Sequence, residues 1–511
     1  MSFPRSSGVL LHPTSLPGPY GIGDLGPTAL EFIDLLASAG QRVWQVLPLG
    51  PTGYGDSPYQ CFSAFAGNPL LISLERLTEH GLLPEAAAGD RHHFQPGDVD
   101  FPAVIAHRRA LWPQVLDRFD MAGDTPMRDR FERFCGAQAR WLDDFALFMA
   151  VKEAHGHIAW TSWPPDIAER DPSAIARWSA RCAREIRLHK LTQFLFFEQW
   201  QQLHHACRAR SIEIMGDLPI FVAHDSADVW AHRALFRLDP DGHPTVLTGV
   251  PPDYFSATGQ LWGNPHYRWD VLAPAGFDWW IERFRALLTL VDRVRIDHFR
   301  GFQASWEVPR GATTAMRGEW VTGPGASLFE AVQSAFDTDR LPFVAENLGV
   351  ITPEVEALRE RLRLPGMAVL QFAFGTDPQA PQFKPHNYPR NLVVYTGTHD
   401  NDTTVGWWTS GIGHSTRSDS ERASEREHAR RYLGLDERDV HWQFIRAVLA
   451  SVADTAIVPV QDLLGLGSDA RMNRPGTSAG NWRWRLAPGQ LTLEIARQLA
   501  VMTETYDRAR S

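Results

Sequence analysis

Cysteine is scarce in this chain of 511 residues. Four occur, Cys61, Cys135, Cys182 and Cys207, and none stands in CxxC spacing. That excludes a disulfide framework and a cysteine zinc site, and fits reduced thiols. Long apolar runs are missing too. No stretch approaches the roughly 18 apolar residues that a membrane span needs. Positive charge is not in excess. The net charge is −10, whereas nucleic acid as a partner calls for a basic face. The opening MSFPRSSGVLLHPTSLPG has one arginine, a very short apolar run and early prolines. It lacks the apolar core of a signal peptide, so the cytoplasm is the expected location and no membrane partner is expected.

What is present suits a large folded enzyme. Apolar residues make up 44% of the chain, enough for a sizeable core. The length exceeds one average domain, yet a barrel with insertions reaches it as a single unit. The 19 tryptophans and 28 phenylalanines are mostly expected in the core, with a few as flat platforms for a ligand.

The most informative pattern is a set of strand-like segments that end in acid. They read IEIMGDLP, RVRIDHF, PFVAENLG, VVYTGTHDND and IVPVQDLL, with Asp217, Asp297, Glu346, Asp400 and Asp462 near their C-terminal ends. One such strand is ordinary. Several, separated by helical stretches, point to one site at the C-terminal rim of a parallel barrel.

Eight strands are expected: RVWQVLPLG, LLISL (70–74), IEIMGDLPIF, RVRIDHF, PFVAENLG, GMAVLQFAF, LVVYTGTHD and AIVPVQDLLGL. Helical patterns such as PTALEFIDLLASAG, FDWWIERFRALLTLVD and PEVEALRERL lie between them. The alternation predicts an α/β fold, a (β/α)8 TIM barrel, with 1–511 as one catalytic unit. From 75 to 205 apolar residues recur at i, i+3 and i+4, which predicts a helical insertion between strands two and three. The turn-rich stretch 223–274 is too long for a plain connection and predicts a smaller insertion beside the site. The run SDSERASEREHARR predicts a solvated helix face.

Two motifs carry no chemistry. Gly21, Gly23 and Gly26 match GxGxxG, but a Pro-rich loop precedes them and residues 41–50 hold no acid, so no dinucleotide site is expected. Gly476-Thr-Ser-Ala-Gly480 matches GxSxG, but a nucleophile elbow needs strand, turn and helix. This segment is loop-like on both sides.

Within RVRIDHF, Arg293, Arg295 and Asp297 share one face, and Val294 and Ile296 the other. Arg295 is expected to lower the pKa of Asp297. Glu346, at the edge of an apolar run, is expected to have a raised pKa and to suit a general acid. His399 and Asp400 stand together at a strand end. Two chemistries fit these groups. In one, three carboxylates perform retaining glycosyl chemistry, with nucleophile and acid roughly 5–5.5 Å apart. In the other, His224, Asp225, His298, His399 and Asp400 bind a metal. Against the metal stand the missing His-x-His pair and the competing charge of Arg295.

The segments LHPTSLPGPYGIGDLG, VWQVLPLGPTGYGDSPYQ, GDLPIFVAHDSADVW, GVPPDYFSATGQLWGNP, RIDHFRGF, AENLG, THDNDT and RMNRPGT together resemble the 4-α-glucanotransferases of the amylomaltase family, within the α-amylase clan. The resemblance runs from about 8 to 485. It implies transfer of α-1,4-glucan segments between maltooligosaccharides by double displacement, with a retaining α-glucan hydrolase as the alternative. It implies Asp297 as nucleophile, Glu346 as acid and base, and Asp400 as the residue that favours the transition state. It assigns sugar contacts to Tyr59, Asp217, Asp253, Trp262, Arg295, His298, Asn347, His399, Asn473 and Pro475, with Tyr54 more remote. It implies no cofactor and no metal. Cys61 stands where serine is frequent, and Ala257 where some relatives carry an acid.

Overall fold

The computed structural model describes residues 3–85, 94, 97–252, 256–409, 418–436 and 438–509. Among the described residues, twelve strands form two sheets. The barrel strands are β1 (Ser6–Leu10), β2 (Val43–Gln45), β3 (Glu213–Pro219), β6 (Arg293–Asp297), β9 (Phe343–Ala345), β10 (Gly366–Val369), β11 (Leu392–Tyr395) and β12 (Thr455–Pro459). They run parallel in the order β10-β11-β12-β1-β2-β3-β6-β9. The seam between β9 and β10 is closed by Ala345 N–H donating to Pro365 O at 2.9 Å. The second sheet pairs β4 (Val246–Val250) and β5 (Gln260–Pro265) with β7 (Ala304–Pro309) and β8 (Glu319–Thr322). It is antiparallel, in the order β5-β4-β7-β8. These pairs leave the barrel after β3 and after β6, so the 223–274 segment shares its sheet with residues beyond β6.

The expected barrel is present, but one of its eight strands is not where the pattern put it. LLISL is not a strand. Pro69–Leu71 is a 3₁₀ turn, and Ser73 caps a helix over Leu74–Glu79 through its side chain. The first strand is instead the short SSGVL run before the prolines. Gly8 suits that place, because a Cβ there would come within 2.2 Å of Val43 O on β2.

Between β2 and β3 stand the helices Phe101–Met121, Pro126–Ala154, Pro172–Arg181 and Ala183–Ala209. Each opens on a residue of known capping type or on a proline, except the last. They bury Leu142, Phe148, Phe194, Trp200 and their neighbours. Helix Pro27–Ser38 runs from its leading proline to Gly40 at φ 70°. The charged run forms helix Asp419–Leu433 with a complete Ser418–Glu421 capping box.

The barrel's N-terminal mouth is plugged from the chain's end. Arg508 is fully buried and donates to the carbonyls of Ser6 (2.8 Å), Leu449 (2.7 Å), Ser451 (3.1 Å) and Ala453 (2.9 Å). Among the described residues no helix is long and apolar enough to cross a membrane.

Candidate active site

The site lies at the C-terminal rim, and strand register builds it. Asp217 on β3 stands opposite Arg295 on β6. Arg295 Nη1 donates to both Asp217 oxygens, at 2.9 and 2.7 Å, and lies 3.0 Å from Asp297 Oδ1. One buried guanidinium thus serves two carboxylates. Val294 and Ile296 face the other way and are fully buried. The next pairing matters more. Ile296 pairs with Ala345 across β6 and β9, so Asp297 and Glu346 follow as neighbours on adjacent parallel strands. Their backbones are about 4.8 Å apart on that geometry, and their side chains share a face.

Glu346 is held by backbone donors. His298 N–H reaches Oε2 at 2.8 Å and Leu348 N–H reaches Oε1 at 2.6 Å. His298 donates from the left-handed region, at φ 53°. A non-glycine residue there is strained. The strain turns the chain sharply after Asp297 and lays its amide on the acid.

The electrostatics differ in part from expectation. Arg295 does pull the pKa of Asp297 down. Burial comes first, however, and with Asp217, Glu346 and Asp400 nearby it outweighs the guanidinium, so Asp297 is pushed up. Glu346 is also raised, by burial above all. Burial works against the charge of Arg295, but Asp217 and Asp297 hold it on. With one cation among four carboxylates, Asp297 and Glu346 are both pushed towards the protonated form.

The opposite wall comes from loops after β2, β11 and β12. Tyr59 O–H donates to Asp217 Oδ2 at 2.8 Å, and its oxygen is 2.9 Å from His399 Nε2. The two rings stack at 5.2 Å. Asn473 Nδ2 donates to Asp400 Oδ1 at 2.6 Å, and Asn473 N–H to His399 O at 3.0 Å. Trp262 on β5 meets the His298 ring edge-on at 4.8 Å. Pro475 is half-buried in the last rim loop. Asp253 lies outside the described residues.

Asn347 sits differently from its proposed sugar contacts. Its Oδ1 accepts Met367 N–H at 2.8 Å and its Nδ2 donates to Glu356 at 2.7 Å. The side chain replaces a ladder bond at the β9–β10 seam. Asp462 orders the loop that carries Asp400. It accepts from the Thr396 hydroxyl, and from Thr404 N–H and Oγ1 at 2.7 and 2.8 Å.

The metal candidates are apart and engaged. His224 Nε2 is 2.7 Å from Gly242 O, and Asp225 pairs with the buried Lys152 at 2.5 Å. Among the described residues no three His, Cys, Asp or Glu side chains gather to hold a metal ion. Two site residues escaped the sequence reading. Trp482 packs against Tyr59 and His399 at 5.6 and 5.9 Å. Arg471 donates to Asp400 O at 2.6 Å and to Asn473 O at 2.7 Å. The NWRW and RMN segments held the signal, but no periodicity marked them.

A family model described as 4-alpha-glucanotransferase matches residues 11–492. A 4-alpha-glucanotransferase of Synechocystis sp. is 52% identical over 507 residues, covering 99% of this chain and 98% of that one. One from Thermus thermophilus is 50% identical over 516 residues, covering 99% and 100%. An amylomaltase from Streptococcus agalactiae, solved in complex with acarbose, superposes with a TM-score of 0.93 at 37% identity, covering 99% and 100%. On these matches and this rim, the chain belongs to the 4-alpha-glucanotransferase family and carries its glucan-transferring activity.

Proposed function

We propose that transfer proceeds by a retaining double displacement on α-1,4-linked maltooligosaccharides, with Asp297 and Glu346 as the reacting pair. The observation that carries this is their register. They follow the Ile296–Ala345 pairing on adjacent strands, a spacing that suits the roughly 5–5.5 Å of retaining enzymes. We place the proton on Glu346, the acid of the first step; at Asp297, Arg295 at 3.0 Å opposes the burial that pushes that carboxyl up.

In the first step Asp297 attacks the anomeric carbon and Glu346 protonates the departing glycosidic oxygen. The C–O bond breaks and a glycosyl ester forms on Asp297. In the second step Glu346, now a carboxylate, takes the proton of an acceptor 4-hydroxyl. That oxygen attacks the anomeric carbon and the ester breaks, with net retention. Asp400, held by Asn473, faces the sugar at the cleavage point and favours its transition state. Asp217, His298, His399 and Tyr59 bind the same sugar, with Trp262 as its platform. Pro475 belongs to the same groove, and for Asp253 a sugar contact is proposed on the family resemblance alone. We read 75–205 as an insertion on the barrel, and 223–274 with β7 and β8 as the groove's wall.

Water in place of the acceptor would give hydrolysis. Incubation with maltotriose alone separates the outcomes. Transfer yields glucose and longer oligomers with reducing ends constant. A steady rise in reducing ends would assign the chain to hydrolysis instead.

A further inference from the structure

Two buried imidazole nitrogens near Asp400 lack a hydrogen-bond partner: Nδ1 of His12 and Nδ1 of His399. Each residue is 6% exposed. His12 stands two residues beyond β1, and His399 on the loop after β11. Both line one cavity of about 30 Å³, together with Thr398, Gln461 and Arg471. A water needs on the order of 10–15 Å³ and two to four polar partners, so one or two fit.

The neighbouring bonds have a fixed direction. Tyr59 has a single O–H. Both Asp217 oxygens accept from Arg295, and the Tyr59 proton lies on the 2.8 Å bond to Asp217 Oδ2. His399 Nε2, 2.9 Å from the same oxygen, must therefore donate. Burial lowers the pKa of His399 and keeps the ring neutral. Its Nδ1 is then a bare acceptor, itself buried from solvent. Such an atom needs a donor, or it costs about 1–3 kcal/mol. Thr398 Oγ1 is directed to Asn401 Oδ1 at 2.9 Å. His12 is also neutral, pushed down to about 3 by burial and then by His399.

We propose that His12 is a positioning residue: through a water held in this cavity it supplies the donor to His399 Nδ1, and so locks His399 in the tautomer protonated on Nε2. In the other tautomer, Nε2 would claim the Tyr59 proton, and Asp217 would lose its bond from Tyr59. His12 thus acts on the sugar-binding face from behind, through water, His399 and Tyr59. The inference rests on the proposed role of His399 at the sugar.

The test is the imidazole ¹⁵N–¹H spectrum of ¹⁵N-histidine enzyme, with His399 assigned by its loss in His399→Asn. The wild type is expected to show a protonated Nε2 and a bare Nδ1. His12→Phe keeps a ring but offers no polar atom. It is expected to mix the tautomers and to lower kcat on maltotriose roughly tenfold, with KM changed less than about threefold. His12→Asn sets an amide near the place of Nδ1 and is expected to restore both. An unchanged His399 signature in His12→Phe overturns the proposal. A changed signature with unchanged kcat leaves the tautomer lock standing and sinks the sugar-binding reading of His399. Should His12→Phe not fold, the wild type still decides: a protonated Nδ1, or a crystal structure without a water about 3 Å from both Nδ1 atoms, overturns it.

Discussion

Two buried arginines stand at opposite ends of the barrel, and they are used in opposite ways. Arg508 at the N-terminal mouth meets backbone carbonyls from the β1 start and from residues 449–453. Arg295 at the C-terminal rim meets the carboxylates of Asp217 and Asp297. Burial, and then Arg5, pushes the pKa of Arg508 down to about 9. Burial opposes the charge of Arg295 as well, but there Asp217 and Asp297 win and push it up. A cation among dipoles ties chain segments together and leaves nothing to react. A cation among more anions than it can neutralise leaves a group of carboxyls competing for a proton. The first arrangement suits stability and the second suits catalysis.

The sharpest way to break this comparison is at Asp297. Asp297→Asn is expected to lower kcat by about 10³ or more, since no ester can form. Its urea midpoint is expected to hold or rise, because a buried anion among like charges is removed. Near-normal turnover would end the assignment. Arg295→Lys comes next. A lysine presents a point charge and cannot serve Asp217 and Asp297 as the planar guanidinium does. A kcat/KM loss of roughly 10² is expected, with folding retained by circular dichroism. Arg508→Met is the mirror experiment. It removes the guanidinium that joins Ser6 O to the carbonyls of Leu449, Ser451 and Ala453, the last three keeping Arg5 as a donor, and is expected to cost about 2 kcal/mol in urea unfolding, with kcat/KM unchanged at low denaturant. If Arg508→Met impaired kcat while stability held, the division between the two ends would fail. The mildest probe is pH. Glu346 must be protonated to act as acid, and burial raises its pKa. Activity should therefore persist above the ordinary glutamate value of about 4.3 and decline as pH rises through the raised one. A kcat/KM profile with its alkaline limb at or below that value would show that Glu346 is not the acid.

Some of this was legible from residues alone. Asp297, Glu346 and Asp400 stood out because each ends a strongly apolar or alternating segment, and a barrel gathers strand ends at one rim. The first strand was hidden by the prolines that flank it, Pro4 and Pro13, and by its length of five residues. LLISL misled because apolar β-type residues also start a helix when Asn68 and Ser73 cap the turns there. Asn347 lies in AENLG beside the acid, yet sequence adjacency says nothing of which way a side chain turns. The structure turns it into the β9–β10 seam. Trp482 and Arg471 lie in a segment without periodicity, so nothing local marked them.

The sequence by itself determined the alternation of strands and helices, the acids at strand ends and the family these motifs resemble. Those are local properties of side-chain order and turn chemistry. Only the tertiary structure decided which acid neighbours which. Asp217, the Arg295–Asp297 strand end and Glu346 are separated by tens of residues, and parallel register brings them side by side. It also decided the balance of charge at Asp297. Arg295 two residues away suggested a lowered pKa. Burial and three converging carboxylates reversed it, because desolvation and through-space repulsion depend on what the fold brings near.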